Sequence, residues 1–195
     1  MGKLYFRHGA MNSGKSTALL QVAYNYEERG QRVLIAKPAI DTKGDAQVVS
    51  RLGMVRNVDF LVLPNENLRD KLKQQFGDSK VDCLLLDEAQ FLSAAQVDQA
   101  MEIAVLDGIP VLAYGIRTDF LTHGFPGSIR LLEIAHSLEE LKTICRCGKK
   151  AMFNARLKNG EFIFDGDQVA IDGHEVTYES LCPNCYYAKI GKNID

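Results

Sequence analysis

Near the start of the chain, Gly9-Ala10-Met11-Asn12-Ser13-Gly14-Lys15-Ser16-Thr17 sets two glycines either side of four residues, with a lysine and a hydroxyl directly after the second. Glycine at both ends lets successive backbone N–H groups converge on phosphate oxygens, and a helix beginning at that point adds its positive end. Lys15 then supplies a point charge for the outer phosphates, and the Ser16 hydroxyl supplies a ligand for Mg²⁺. This spacing predicts a bound nucleoside triphosphate with Gly9 to Thr17 as its cradle. Further on, Val81-Asp82-Cys83-Leu84-Leu85-Leu86 reads as an apolar strand that delivers Asp87 and Glu88 at its carboxyl end. Asp87 is suited to binding Mg²⁺, directly or through water. Glu88, facing the other way by strand alternation, is free to act on an attacking oxygen. Cys83 inside that strand reads as a small buried hydrophobe.

A third constellation lies in the last quarter, where Cys145-Arg146-Cys147 is matched by Cys182-Pro183-Asn184-Cys185. Two cysteine knuckles bracketing a hairpin are the pattern of a zinc ribbon, set against the alternative of four free thiols. With Cys145, Cys147, Cys182 and Cys185 filling the tetrahedral positions of Zn²⁺, no position is left for chemistry and the metal is structural. Because the phosphate loop is far away in sequence, loss of that metal is expected to spare it.

The elements that must position these residues can be read from the pattern of apolar positions. Lys3 to His8 reads as a strand entering the loop, Thr17 to Tyr24 as a helix leaving it, and Arg32 to Lys37 as a buried strand stopped by Pro38. Strand, loop, helix, strand is the opening of a parallel sheet. Phe60 to Leu63 and Ile109 to Gly115 read as further strands, Asn67 to Phe76 as a helix ended by Gly77, and Ser93 to Leu106 as a helix with Ser93 as its N-cap. Ile40 to Asp45 falls past a strand's carboxyl end, where ligands of open α/β sheets bind; it is either a ligand loop or a solvated one. The long segment from Ile116 to Gly127 carries Phe120 and Phe125, which either plug the core or wall a pocket for a flat ligand. Phe153 to Phe164 alternates across Asn159-Gly160, a hairpin signature, and Gly166 to Glu179 reads as a loop tethered at both ends. The four histidines are scattered and read as structural or solvated. The fold class that follows is α/β: a parallel sheet flanked by helices of the phosphate-loop NTPase kind, residues 1–140, with a small C-terminal zinc-ribbon domain, residues 141–195.

The bulk composition narrows the function. The chain has 195 residues, 46% of them hydrophobic and 25% charged, with a formal net charge of −2. That balance shows no basic excess for a nucleic-acid backbone. No apolar run is long enough to span a bilayer, and the start of the chain passes directly into the first strand, which leaves no room for a cleavable signal peptide. A cytoplasmic protein is expected, with its five cysteines reduced. These residues describe a Mg²⁺-dependent phosphate-loop enzyme with a zinc-stapled appendage; the acceptor, water or a hydroxyl substrate, stays open.

GAMNSGKST, LLLDEAQF, YGIRTDF followed by Phe125, and the two cysteine pairs around VAIDGHEVTYESLC together resemble the thymidine kinases of the cellular, zinc-containing class, in order and in spacing over essentially the whole chain. The resemblance implies transfer of the γ-phosphoryl of ATP to the 5′-hydroxyl of thymidine, with Glu88 taking the hydroxyl proton. It also implies that Asp41, Asp87 and Gln90 join the phosphate loop in holding ATP and its metal. The thymine pocket maps onto Met11, Phe91, Ile116, Phe120, Phe125 and Tyr178. Backbone of a lasso-like loop, Val169, Ala170, Ile171, Asp172 and Gly173, reads the base edge. A homotetramer and feedback inhibition by thymidine triphosphate are further implications. Two rivals come from other classes. Asp87-Glu88-Ala89-Gln90 also resembles the second motif of helicase-like ATPases, against which stand the short chain and acidic balance. A zinc-ribbon binding module with a vestigial nucleotide site predicts no turnover at all.

Overall fold

The computed structural model describes residues 1–39, 46–77, 79–169 and 176–191. Its main sheet is built from β1 (Leu4–His8), β2 (Val33–Pro38), β5 (Phe60–Val62), β6 (Cys83–Leu86), β7 (Val111–Gly115) and β8 (Ser137–Glu140), in the order β5-β2-β6-β7-β1-β8. Every neighbouring pair is parallel. Between β2 and β5 the chain makes a separate antiparallel hairpin, β3 (Gln47–Val49) with β4 (Val55–Asn57).

Parallel strands need crossovers, and the helices supply them on both faces. Alternation along each strand decides which residue meets which face. Leu4 and Phe6 of β1, Leu34 and Ala36 of β2, and Leu84 and Leu86 of β6 point to one side. There they pack with α2 (Leu68–Phe76), α3 (Ala94–Val105) and α4 (Pro126–Ile134). Val33, Ile35, Cys83, Leu85, Leu112 and Tyr114 point to the other side, against Leu19, Leu20 and Ala23 of α1 (Lys15–Glu27). Cys83 is fully buried, and burial pushes its thiol up to about 12, so it is inert packing as its place in an apolar run suggests.

The helix starts carry the expected signals. Asn67 caps α2 by accepting from the Asp70 N–H. Ser93 and Gln96 form a reciprocal capping box at α3. His136 is structural, its Nδ1 accepting from the Leu4 N–H at 3.1 Å. β8 is absent from the sequence reading because Ser-Leu-Glu-Glu is a polar, exposed edge strand with no apolar period to find.

Beyond the main sheet, β9 (Thr143–Ile144) and β10 (Lys150–Ala151) form a short hairpin around the first cysteine knuckle. β11 (Phe153–Lys158) and β12 (Glu161–Ile163) pair across Asn159-Gly160, whose φ values of 51° and 82° suit a two-residue hairpin turn. One expectation is corrected here. The stretch read as a loop up to Glu179 contains β13 (Val176–Leu181), which pairs with β11 from Lys158↔Val176 to Phe153↔Leu181. Tyr178 therefore stands on a strand rather than in a loop. The helix α5 (Pro183–Lys189) follows with Cys182 as its N-cap. Among the described residues no helix is long and apolar enough to cross a membrane.

Candidate functional site

The strand order brings the chemistry together. β6 and β7 are slotted between β1 and β2, so the phosphate loop after β1, the acid pair after β6 and Ile116 after β7 emerge side by side at the carboxyl edge of the sheet. The loop's two glycines are needed for different reasons. Gly14 sits at φ 80° where α1 begins, a left-handed conformation that costs other residues about 1 kcal/mol. A Cβ on Gly9 would lie 2.3 Å from the Leu141 carbonyl and 2.4 Å from Ser13 Oγ, so there it is space that demands glycine.

Lys15 Nζ donates to the carbonyls of Ala10 at 2.9 Å and Gly9 at 3.2 Å. Burial lowers its pKa, while the nearby charges of Glu88 and Asp87 act to raise it. Residues 11 to 17 line a cleft of about 850 Å³, which Glu88 and Ile116 also border.

Asp87 is buried at the end of β6, its N–H bonded to the Ala36 carbonyl at 2.9 Å. Burial, reinforced by the charge of Glu88, pushes its carboxyl up to about 7, against the pull of Lys37 and Lys15. A cation at this carboxylate would relieve that cost, so the residue fits a metal ligand's role.

Glu88 is oriented by something other than strand alternation, which is a second correction. β6 ends at Leu86, and Glu88 takes up φ 50°, ψ 38° ahead of a single 3₁₀ turn, Ala89–Phe91. A non-glycine residue held left-handed marks a position that its surroundings over-determine. The surroundings here are Gln90, whose Nε2 donates to Glu88 Oε2 at 2.5 Å and whose Oε1 accepts from the Ile116 N–H at 3.3 Å. Gln90, matched to ATP at the sequence level, thus faces Glu88 and borders the second cavity rather than the phosphate cleft. Gly115 makes room for it, since a Cβ there would meet Gln90 Oε1 at 2.7 Å.

That second cavity, of about 270 Å³, is lined by Met11, Phe91, Ile116, Phe120, Phe125, Val169 and Tyr178, all of them pocket residues anticipated from the sequence. Phe91 and Phe125 meet edge to face with ring centroids 5.4 Å apart. Met11, Glu88 and Ile116 border both cavities, so the carboxylate stands where they adjoin. Asp41, Ala170, Ile171, Asp172 and Gly173 lie outside the described residues.

Five further residues belong to this site and were not anticipated, the first of them Lys37, which lines the second cavity from the end of β2. Asn154, Asp119 and Gln168 line the second cavity, and Arg156 braces it. Arg156 is 3% exposed, yet its partners are neutral. Nε donates to the Tyr178 hydroxyl at 3.0 Å, Nη1 to the Asp167 carbonyl at 2.8 Å and Nη2 to the Gln168 carbonyl at 3.0 Å. Its guanidinium lies 3.7 Å from the centroid of Phe120. Asp119 accepts from the N–H groups of Leu121 and His123, and its other oxygen accepts from Gln168 Nε2 at 3.1 Å. For Asn154 and Arg156 the sequence shows only that polar residues two apart on a strand share one face; that this face is buried is decided by packing.

The four cysteine sulfurs of Cys145, Cys147, Cys182 and Cys185 lie within 4.8 Å of one another. Zn–S bonds of about 2.3 Å in a tetrahedron separate sulfurs by about 3.8 Å, so the cluster has the dimensions of a metal site. Burial alone would raise the Cys145 thiol, but backbone and thiol hydrogen bonds bring it down to about 7, while the surrounding thiols hold Cys185 up to about 12. A cation is what would let all four ionise together.

Comparison with known proteins gives a consistent result. The family model described as thymidine kinase matches residues 2–186. Thymidine kinase of Mannheimia succiniciproducens is 46% identical over 194 residues, 98% of each chain. That of Haemophilus influenzae (strain ATCC 51907) is 47% identical over 194 residues, 98% of this chain and 100% of the other. That of Colwellia psychrerythraea is 50% identical over 184 residues, 93% and 95%. Among solved structures, the Legionella pneumophila ATPase DotB matches with TM-score 0.40 and 16% identity over 76% of this chain and 43% of that one. Matched from its first strand to its last helix, at nearly half identity and without large gaps in coverage, the chain belongs to the thymidine kinase family.

Proposed function

We propose that the protein is an ATP-dependent nucleoside kinase that transfers the γ-phosphoryl of ATP to the 5′-hydroxyl of thymidine, giving thymidine monophosphate and ADP. The observation that carries this reading is the position of Glu88 at the junction of two cavities, one walled by the phosphate loop and the other by aromatic rings. A helicase-like ATPase needs only the first of these. A carboxylate that served water alone would have no use for the second.

In this reading ATP lies with its phosphates against the N–H groups of residues 12 to 17, and Lys15 meets the outer phosphates. The pyrimidine lies among Phe91, Phe120, Phe125 and Tyr178, with Val169 and the following lasso residues at the base edge. Glu88 takes the 5′-hydroxyl proton as the bond from that oxygen to the γ-phosphorus forms and the bond to the β–γ bridging oxygen breaks; the electron pair leaves with ADP. Gln90 keeps the Glu88 carboxylate aimed at the cavity junction. Mg²⁺ held by Ser16 and Asp87 would neutralise charge on the phosphates as it moves towards ADP. Zn²⁺ on the four cysteines is structural. The division into a catalytic unit, residues 1–140, and a nucleoside-binding unit, residues 141–195, is supported by the break between the last strand of the main sheet, ending at Glu140, and β9, starting at Thr143. A cytoplasmic homotetramer inhibited by thymidine triphosphate completes the proposal, supported by likeness to the family.

ATP consumption measured against a panel of nucleosides tests it. Turnover with thymidine and little without an acceptor is the expected result. Equal ATP hydrolysis with and without nucleosides would return the protein to the ATPase reading.

A further inference from the structure

Met11 is the only residue of the phosphate loop whose N–H and C=O are both bonded to the C-terminal sheet, among the described residues. Its N–H donates to Asn154 Oδ1 at 2.7 Å, and its carbonyl accepts from the Ser180 hydroxyl. Asn154 and Ser180 stand directly opposite each other on β11 and β13, so one cross-strand pair grips both backbone groups of one loop residue. Both side chains are buried, Asn154 at 2% exposure and Ser180 at 7%. The remaining amide of Asn154 donates to the Thr118 carbonyl at 3.3 Å, which pins the pair to the loop that carries Phe120.

The grip has a consequence for phosphate binding. In a trans peptide the C=O of one residue and the N–H of the next point in opposite directions. Turning the Met11 carbonyl to Ser180 therefore turns the Asn12 N–H away from the C-terminal sheet. Asn12, on the cleft wall, holds φ 66°, a left-handed conformation that asparagine tolerates better than most side chains, so a modest constraint from outside is enough to hold it. Asn154 and Ser180 are well placed to enforce it.

The same strands serve the rest of the C-terminal region. Two residues along the same face, Arg156 and Tyr178 are again directly opposite, one bracing the carbonyls of Asp167 and Gln168 and the other walling the aromatic cavity. Cys182 of the cysteine cluster follows immediately after β13.

We propose that Asn154 and Ser180 are a positioning pair that clips the phosphate loop into its ATP-binding shape, so that ATP affinity is set in part by the C-terminal sheet. The proposal deepens the kinase reading and rests on it for the identity of the phosphate-loop ligand. It also revises the expectation that the phosphate loop is insulated from the cysteine region: distance in sequence does not survive folding here.

The test measures ATP binding with Mg²⁺ in the absence of any nucleoside, on the full chain with its metal. Ser180→Ala removes one donor and little volume, and should weaken ATP binding about fivefold to tenfold by lowering the fraction of loop in the competent shape. Ser180→Thr keeps the hydroxyl and should bind ATP as the parent does. Asn154→Ala orphans the Met11 N–H and should weaken ATP binding at least as much. Zinc content and thermal unfolding, read on each variant, should show Ser180→Ala fully loaded and folded. Unchanged ATP affinity in Ser180→Ala overturns the clip, as does a Ser180→Thr variant no better than the alanine. If the protein binds ATP in this pattern but does not phosphorylate thymidine, the clip stands and the acceptor assignment falls. If it phosphorylates thymidine with ATP affinity unmoved by these substitutions, the reverse holds.

Discussion

Glu88 and Asp87 are adjacent carboxylates with opposite requirements, and their surroundings separate them. Glu88 is aimed by a left-handed backbone and by the Gln90 amide at the junction of the two cavities. Glu88→Gln keeps that shape but removes the base, so kcat should fall by roughly 10²-fold or more while ATP binding persists. Steady-state kinetics beside an ATP titration decide it, and a near-normal kcat would move the proton transfer to another group. For Asp87 the cost is burial. Its folded pKa of about 7 lies above the ordinary value of 3.8, so the folded chain is favoured while the carboxyl is protonated. That contribution is fully present below about pH 3.8 and is lost as pH rises through about 7. In Mg²⁺-free, nucleotide-free buffer, Asp87→Asn should therefore raise Tm at pH 8 and raise it less at pH 5; assayed separately with ATP, Mg²⁺ and thymidine, it should abolish turnover. An equal gain in Tm at the two pH values would count against the buried-charge account.

At the scale of elements, β11 and β13 do the work that a lone loop cannot. A loop of the length between β12 and β13 closes only at an entropic cost, and Arg156 offsets part of it by fixing the Asp167 and Gln168 carbonyls at the loop's start. Its planar fork reaches two carbonyls and a phenol at once, which an ammonium cannot imitate. Arg156→Lys should raise KM for thymidine about tenfold or more, with zinc content intact. Tyr178→Ala should do the same by removing a cavity wall and the acceptor of Arg156 Nε. If both variants keep the parent KM with the metal in place, the aromatic cavity is not the nucleoside pocket.

At the scale of the whole molecule, the cysteine cluster, the aromatic cavity and the phosphate loop share one small sheet. Phe153, Ala155 and Leu181 face the core around Cys145 and Cys182, while Asn154, Arg156, Tyr178 and Ser180 face the site. Loosening the metal end should therefore be felt at both substrates. A Cys185→Ser variant should lose zinc, raise KM for thymidine strongly, and also weaken ATP binding, the last by no less than Ser180→Ala does. Metal analysis with separate titrations of ATP and thymidine checks this. Normal thymidine binding in a zinc-free variant would show that the cluster does not support the pocket.

The motifs were legible in the sequence because their chemistry depends on local spacing. Gly9 to Thr17 makes its cradle from consecutive residues, the apolar run before Asp87 predicts a buried strand, Asn159-Gly160 predicts its own turn, and the paired cysteines announce a shared metal. From these the α/β class followed, whereas the aromatic pocket was implied by the resemblance to the thymidine kinases. What stayed hidden depends on partners far apart in the chain. β8 and β13 exist because a neighbouring strand supplies their hydrogen bonds, not because their own sequences demand it. Glu88 is aimed by a backbone kink and by Gln90, which hydrophobic periodicity does not encode. Asn154, Arg156 and Ser180 read as ordinary polar positions on a hairpin until folding buries that face against Met11 and Phe120. Polar side chains carry no mark in the sequence of whether they will face water or a buried backbone amide; only tertiary packing decides it.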